Sequence, residues 1–276
     1  MNSTTTTIQG ISVIEDSDDL PDTAPAIVMV HGWPDTHHLW DGQVAALRSR
    51  FRCVRFTLPG FDIALPSRPT SMAQMTELIG QVVQHAGRGQ PVTLLLHDWG
   101  CHFGYQYALA RPETVTRLIG VDVGDTASPA FKRGLTGKAK LLIAGYQLWL
   151  TLAWRLGGSL GDRMTRFMAR ALRCKSEQSR ITAQMNYPYD MHWTGSYGGF
   201  RGLKPLAPTF PMLFIYGTRK PFLFHTPAWA EALAAKPGSA VLGLRTGHWV
   251  MVDQPAAFNQ ALLDWLGGAN TARPAA

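Results

Sequence analysis

Asp98 is the residue whose type and position most directly suggest chemistry. It follows a continuously apolar run, Val92–Leu96, and lies within the sequence His-Asp-Trp-Gly. The glycines after it, Gly100 and Gly104, would permit a sharp turn from strand to helix that holds the middle residue exposed above the sheet. A carboxylate there is ionised at pH 7 and can attack carbon to give an ester. A lone Asp at the end of a strand would more often cap a helix, so the catalytic interpretation depends on other reactive groups being close to Asp98.

Two further segments supply such neighbours. The sequence HGWPD at 31–35 follows one apolar run, and GHW at 247–249 follows the last one. The backbone N–H groups of Trp33 and Trp99 could point at one oxygen and form an oxyanion hole. His248 is the natural general base near neutral pH. Three such segments at three strand ends predict an active site, although His31 alone would equally fit a hydrogen bond within its loop.

These segments require a parallel sheet to bring them together. Continuous apolar runs suit strands buried on both faces, and their alternation with helical patterns predicts an α/β, doubly wound domain. The predicted strands are Ala26–Val30, Cys53–Thr57, Val92–Leu96, Leu118–Val123, Met212–Tyr216 and Ala240–Leu244. The predicted helices are Leu39–Arg48, Met72–His85, Gly104–Ala110, Pro227–Ala235 and Pro255–Leu266.

The alternation breaks once, between about residues 126 and 208. This stretch lacks a convincing strand and is rich in Leu, Met, Trp and Arg. We therefore predict a core domain of residues 1–125 and 209–276, with a helical cap of residues 126–208 inserted into it. Arginines at helical spacing form one stripe in the cap, which suits a solvated helix face better than a docking surface. They are Arg163, Arg166, Arg170 and Arg173.

Composition narrows the remaining classes. The chain has 276 residues, 46% of them hydrophobic, which favours one large core. The net charge of +7 comes without a nucleic-acid-binding motif, so no nucleic-acid partner is expected. The N-terminus lacks a secretory pattern, and the three cysteines lack metal-ligand spacing, which predicts a cytoplasmic protein without a metal or cofactor. The longest uncharged apolar run, Leu141–Trp154, is shorter than the roughly 20 residues that span a bilayer.

The sequence resembles α/β-hydrolase-fold enzymes of the epoxide hydrolase and haloalkane dehalogenase branch. The resemblance rests on HGWP at 31–34, HDWG at 97–100 and GHW at 247–249, and it covers nearly the whole chain. It implies that Asp98 is the nucleophile and that His248 activates the water that hydrolyses the ester. The HGWP sequence is typical of epoxide hydrolases. We expect His31, Pro34, Trp149 and Trp249 to line the substrate pocket.

The third member of the catalytic triad departs from the family pattern. Epoxide hydrolases usually place an acid after the strand that follows the cap, but Lys220 stands in that place here. Some dehalogenases of this fold carry the acid after the strand before the cap, where this chain has Asp122 and Asp125. Asp122 lies 24 residues after Asp98, a similar spacing. We predict Asp122 as the triad acid, with Asp125 in reserve or as a cap of the first cap helix.

Three activities remain open. Epoxide opening needs a weak acid that donates a proton to the departing alkoxide. In the family that the sequence resembles, tyrosines of the cap are this acid, and the candidates here are Tyr146, Tyr187 and Tyr189. A haloalkane dehalogenase would use the Trp99 indole and a second tryptophan, because the Asn that often binds halide is replaced by Trp33. The third possibility is an impaired hydrolase that binds hydrophobic ligands. We favour an epoxide hydrolase acting on a small uncharged substrate with water, as a monomer or homodimer, with no transmembrane segment and at most weak membrane contact through the cap.

Overall fold

The computed structural model describes residues 2–268 and shows one eight-stranded sheet in the order β1-β2-β4-β3-β5-β6-β7-β8. The strands β1 and β2 pair antiparallel, β2 pairs antiparallel with β4, and every later pairing is parallel. The strands are β1 Asn2–Ile8, β2 Ile11–Ser17, β3 Ala26–Val30, β4 Arg52–Phe56, β5 Val92–His97, β6 Val115–Val121, β7 Met212–Gly217 and β8 Ala240–Leu244.

Helices cover both faces of this sheet. They are α1 Asp41–Leu47, α2 Met72–Gly87, α3 Trp99–Ala110, α4 Pro129–Gly134, α5 Gly137–Leu156, α6 Gly158–Ala171, α7 Tyr187–Thr194, α8 Pro227–Ala234, α9 Val250–Asp253 and α10 Pro255–Leu266. The predicted α/β class is therefore confirmed. None of the helices in the described chain is long and apolar enough to cross a membrane.

The central strand β5 shows why an uninterrupted apolar run suits this architecture. Leu94 and Leu96 pack into the cluster that holds α2 and α3, whereas Leu95 packs into the opposite cluster with α1 and α10. All three side chains are fully buried. Because successive residues of a strand point to opposite faces, a strand covered on both sides must be apolar at every position.

Strand register sets the positions of the candidate site. Val30 pairs with Leu96, His97 pairs with Val121, and Val121 pairs with Ile215. The residues that follow β3, β5 and β6 therefore lie at one edge of the sheet. Asp98 comes directly after β5, and Asp122 comes directly after β6. Because β5 and β6 pair side by side, the two residues are neighbours at this edge.

The prediction was wrong in several details. It missed the hairpin β1–β2, and it started α3 at Gly104 although the helix begins at Trp99. The predicted first helix divides into a short 3₁₀ turn, His37–Trp40, and α1. Between β6 and β7, helices α4 to α7 replace the strand–helix alternation. Val123, just after β6, forms an isolated bridge with Phe224, which follows β7. The exact domain boundaries stay a prediction.

Candidate active site

Asp98 occupies a tight turn between β5 and α3. Its φ of 52° and ψ of −120° are unusual for a residue with a side chain, and they aim the carboxylate away from the strand. Other backbone segments of the protein approach this turn very closely. A Cβ on Gly32 would lie 2.4 Å from both Asp98 Oδ1 and the backbone N of Trp99, and a Cβ on Gly100 would lie 2.3 Å from the Val30 carbonyl. Glycine at these positions is therefore a steric requirement of the turn.

Both oxygens of the Asp98 carboxylate have partners. Oδ1 accepts a hydrogen bond from the backbone N–H of Trp33 at 2.6 Å, and Oδ2 lies 3.3 Å from Nε2 of His248. The backbone N of Trp99 lies against the same side of Gly32 as Asp98 Oδ1. The backbone N atoms of Trp33 and Trp99, the two predicted oxyanion-hole donors, thus both lie near Oδ1 of Asp98.

The other ring nitrogen of His248, Nδ1, hydrogen-bonds Oδ2 of Asp122. Asp122 is fully buried and has a left-handed φ of 67°, and its backbone N–H donates to the Ile215 carbonyl at 2.8 Å. The structure therefore brings Asp98, His248 and Asp122 into one hydrogen-bonded row, with the acid at the end of β6.

Lys220 joins this row at its far end. Its ammonium group forms an ion pair with Oδ1 of Asp122, which also accepts a hydrogen bond from the backbone N–H of Gly217 at 2.9 Å. The Lys220 side chain is only 8% exposed, and Nζ lies 5.1 Å from the ring centre of Phe224. Lys220, which stands after β7 where an acid was expected, thus forms an ion pair with Asp122 at the end of β6.

Asp125 has a different environment. Its Oδ1 accepts from the backbone N–H of Thr226 at 2.7 Å, and its Oδ2 accepts from the hydroxyls of Thr226 and Ser128 at 3.0 and 2.8 Å. These bonds tie the loop after β6 to the start of α8. The contacts of Asp125 do not include His248, so the geometry favours Asp122 over Asp125.

Charge pairing sets the protonation of the row. Burial alone would lower the pKa of His248, but the carboxylates of Asp122 and Asp98 raise it to about 9. Burial opposes the ionisation of Asp98, yet the hydrogen bond and charge of His248 bring its pKa down to about 2. The resting site therefore holds an imidazolium between two carboxylates at neutral pH.

Two further buried residues, His97 and Asp35, lie beside His248 or the loop that carries it, and neither was singled out in the sequence. Burial lowers the pKa of His97 to about 3, so its ring is neutral; the ring lies 4.5 Å from that of His248, centre to centre. Asp35 accepts a hydrogen bond from the indole N–H of Trp249 at 2.9 Å and fixes the loop that carries His248. Asp35 belongs to HGWPD at 31–35, and His97 belongs to HDWG at 97–100. No signal in the sequence indicates their supporting role, which depends on their burial beside His248 or its loop.

A cavity of about 960 Å³ opens above Asp98. Of the residues predicted to serve it, Trp33, Tyr146, Tyr189, His248 and Trp249 line its wall together with Asp98. Further apolar and basic residues line the same cavity. These include Leu141, Leu142, Met168, Leu172, Phe222, Phe224, Arg173, Lys175, Arg219, Lys220 and Arg245.

Four of the expected pocket or donor residues do not line this cavity. His31 is fully buried beneath the turn, where its Nε2 accepts from the backbone N–H of Leu58 at 2.9 Å. Trp149 lies on the outside, with its indole N–H bonded to the Met164 carbonyl at 3.0 Å. Pro34 is buried within its loop, and Tyr187 packs edge-on against Phe61 and Trp154. The pocket assignments of His31, Pro34 and Trp149 are thus corrected by packing, and Tyr187 is separated from Tyr189.

Over residues 2–268, no group of three or more His, Cys, Asp and Glu side chains is arranged to hold a metal ion.

A model of the alpha/beta hydrolase family matches residues 27–261, most of the chain. The chain belongs to the alpha/beta hydrolase family. This hydrolase is 39% identical over 97 residues to the probable oxidoreductase EphD of Mycobacterium tuberculosis, a match that covers 34% of this chain and only 16% of that protein.

Solved structures related to this hydrolase include a Bacillus megaterium epoxide hydrolase in complex with an inhibitor. The two are 19% identical, with a TM-score of 0.68, and the match covers 96% of this chain and 100% of the other. The haloalkane dehalogenase DbeA from Bradyrhizobium elkani is 16% identical, with a TM-score of 0.66 and 99% coverage of both chains. At these identities the likeness shows a shared fold.

The raised pKa of His248 predicts a pH dependence of stability. Its pKa is about 6.5 when unfolded and about 9 when folded, so the stabilisation is complete below pH 6.5 and is lost as pH rises through 9. We expect the free energy of unfolding to fall by about 2–3 kcal/mol between these limits. Urea unfolding across this range would measure it, with His248→Gln as the control. An equal fall in that variant would contradict the assignment.

Proposed function

We propose that this hydrolase opens epoxides to vicinal diols through a covalent ester on Asp98. The observation that supports this most directly is the shared cavity: Asp98 and the hydroxyl-bearing rings of Tyr146 and Tyr189 all line it. The two tyrosine rings are neighbours, 6.1 Å apart between centres. An epoxide bound in this cavity would have access to a nucleophile for its carbon and to acids for its oxygen.

In the first step, a carboxylate oxygen of Asp98 attacks an epoxide carbon, and the carbon–oxygen bond of the ring breaks. The departing oxygen takes a proton from Tyr146 or Tyr189 and becomes a hydroxyl group. Burial, together with the negative charge of Asp98, raises the pKa of both phenols, so both remain protonated before the reaction. The ionised Asp98, with its pKa of about 2, is available as a nucleophile throughout the physiological range.

In the second step, water attacks the carbonyl carbon of the ester while His248 takes its proton. Ester formation removes the negative charge of Asp98, which is one cause of the raised His248 pKa. The imidazolium therefore becomes more acidic and passes its proton, through solvent, to the phenolate that the first step left on the tyrosine. The tyrosine is thereby restored, and neutral His248 can serve as the base. Asp122 holds the ring through Nδ1, which leaves Nε2 directed at the ester.

The N–H groups of Trp33 and Trp99 would stabilise the tetrahedral oxyanion. As it collapses, the ester bond to the diol oxygen breaks and the proton of the added hydroxyl group passes to that oxygen. The diol is released, Asp98 is again a carboxylate and His248 is again an imidazolium.

A haloalkane dehalogenase is the second candidate, because the indole N–H of Trp99 is buried and has no hydrogen-bond partner in the described chain. A halide would need a second donor, and the nearby indoles are already engaged. Trp33 donates to Asn186 at 2.7 Å, and Trp193 donates to Gln147 at 3.1 Å. Neither Trp149 nor Trp154 lines the cavity. The tyrosine pair therefore favours the epoxide.

An impaired hydrolase that only binds ligand is less consistent with the polar row. The positions of Asp98, His248 and Asp122 satisfy the geometry of a catalytic triad, and Lys220 supports the acid instead of displacing it. We further propose that α4 to α7 act as the cap, residues 126–208. The small uncharged substrate, the cytoplasmic location and the monomeric or homodimeric state stay predictions.

Trapping the ester tests this function. In His248→Gln the ester should form and persist, since the base for its hydrolysis is absent. After incubation with styrene oxide, mass spectrometry should find the whole epoxide mass on the peptide that contains Asp98. A butyl adduct from 1-bromobutane, with release of bromide, would instead identify a dehalogenase.

The matched control is the double variant Asp98→Ala/His248→Gln, in which the adduct should be absent. An adduct that remains on the double variant would assign the nucleophile elsewhere. If neither reagent modifies His248→Gln although binding is measurable, the proposal of ester catalysis is wrong and the ligand-binding alternative takes its place.

A further inference from the structure

The outer face of α5 exposes an unusual row of large apolar side chains. Leu141, Leu148, Leu152 and Leu156 fall in one narrow sector of the helix, given 3.6 residues per turn. They are 74%, 46%, 50% and 51% exposed, respectively. Since core-facing residues of α5 such as Leu150 are fully buried, this sector is a second apolar face that points to solvent.

Helix α6 extends the same surface. Leu160 and Phe167 also lie in one sector, with exposures of 49% and 54%. Trp149 joins the two helices, because its ring lies 5.6 Å from that of Phe167 and its indole bonds the Met164 carbonyl. The resulting surface is here called the outer leucine face, and it consists of Leu141, Leu148, Leu152, Leu156, Leu160 and Phe167.

Positive charge borders this face. Residues 131–173 contain nine Lys and Arg and one acidic residue, Asp162, whereas the whole chain has a net charge of only +7. Arg163 and Arg170 lie together along one side of the sector of α6 that holds Leu160 and Phe167, and Lys138 and Lys140 lie at the start of α5. These four cations are exposed and have no ion-pair partner in the described chain.

The opening of the active-site cavity adjoins the same surface. Leu141, Leu142 and Leu172 line the cavity, yet each is also between 39% and 74% exposed. Arg173, which follows α6, lines it as well. Molecules that enter from this side therefore meet apolar side chains bordered by cations before they reach Asp98.

We propose that the outer leucine face docks on the surface of an anionic lipid bilayer. The arginine spacing alone favoured a solvated helix face, but the exposed leucines beside these cations favour docking. Two helices lying in the interface would insert their leucines among the acyl chains while the flanking Lys and Arg contact anionic headgroups. The cavity would then open towards the lipid, from which apolar substrates could enter directly. This docking is independent of the reaction proposed at Asp98.

Charge favours lipid over a second copy of the chain. Isologous pairing of two outer leucine faces would bring two cationic borders together, with Asp162 as the one acidic residue in each. That residue is engaged in accepting from the backbone N–H of Ala183 at 2.8 Å. An anionic lipid surface supplies the missing opposite charge at every position along both helices.

Vesicle binding of the full chain tests the proposal. We expect co-sedimentation with phosphatidylcholine vesicles that contain about 30 mol% phosphatidylglycerol, weaker binding to phosphatidylcholine alone, and a loss at high salt. Leu148→Gln/Leu152→Gln and Arg163→Gln/Arg170→Gln should each lower the partition coefficient by about tenfold or more. None of these residues lines the cavity, so turnover of a water-soluble substrate and the thermal midpoint should be unchanged.

The matched control is Arg50→Gln/Arg111→Gln, which removes the same number of positive charges at positions outside α5 and α6. We expect this variant to bind vesicles as the wild type does. Absence of binding to the anionic vesicles would overturn the proposal, as would equal losses in the control. A dimer in sedimentation velocity that Leu148→Gln/Leu152→Gln dissociates would assign the face to a second copy instead.

Discussion

Replacing Asp98 with Ala should lower epoxide turnover by about 10⁵- to 10⁶-fold, because loss of a covalent nucleophile removes the entire ester route. The ring of His248 would remain hydrogen-bonded to Asp122 in this variant, so its orientation should persist. Its pKa should fall, since the carboxylate of Asp98 helps to keep it near 9. Steady-state hydrolysis of styrene oxide measures the first effect, and NMR titration of the His248 ring measures the second.

Cys101 provides the matched control for this substitution, because it is a potential nucleophile three residues along the same turn. The thiol is fully buried, and burial raises its pKa to about 12. Cys101→Ala should therefore retain activity within a few-fold of the wild type. Substantial turnover in Asp98→Ala, or its loss in Cys101→Ala, would show that the ester forms on another residue.

The positions of Asp98, Asp122 and His248 could be predicted because a parallel sheet brings the ends of its strands to one edge. Each of these residues closely follows an apolar run in the sequence, and the register places them together. The partner of Lys220 could not be read in the same way. Its ion pair crosses from the end of β7 to the end of β6, and residue spacing carries no information about which side chain fills that gap.

The tyrosines illustrate a limit set by helix geometry. Tyr187 and Tyr189 are two residues apart at the start of α7, so they point about 200° apart. Only one can face the cavity, and the choice depends on the rotation of the helix against α5. The structure turns Tyr189 towards Trp33 and Trp99, with ring centres 5.9 and 5.1 Å away.

The missed hairpin has a local explanation. Residues 4–7 are all threonine, which reads as a polar tract, and most of β1 is exposed to solvent. Threonine is also β-branched and suits an exposed strand. The turn signal was present in Gln9-Gly10, whose φ values of 51° and 79° fit the left-handed conformation that tight hairpins need.

Asp122→Asn should reduce turnover by about 10⁴-fold, because loss of the carboxylate removes both the orientation of His248 and the stabilisation of its cation. Asp125→Asn is the matched control. Its carboxylate holds Thr226 and Ser128 and does not contact His248, so this variant should lower the thermal midpoint while its kcat stays within a few-fold of the wild type. The reverse ranking of the two variants would make Asp125 the triad acid.

Lys220→Met separates the role of the acid from that of its cation. Without the ammonium group, the charge of Asp122 acts on His248 alone, so the pKa of His248 should rise and the acidic limb of the kcat profile should move to higher pH. At pH 7 this would lower kcat by about tenfold for each unit of displacement, and activity should recover at high pH. Asp122→Asn should not recover, because its defect is orientation. Loss of activity at every pH in Lys220→Met would instead mean that the ion pair is needed to hold Asp122 in position.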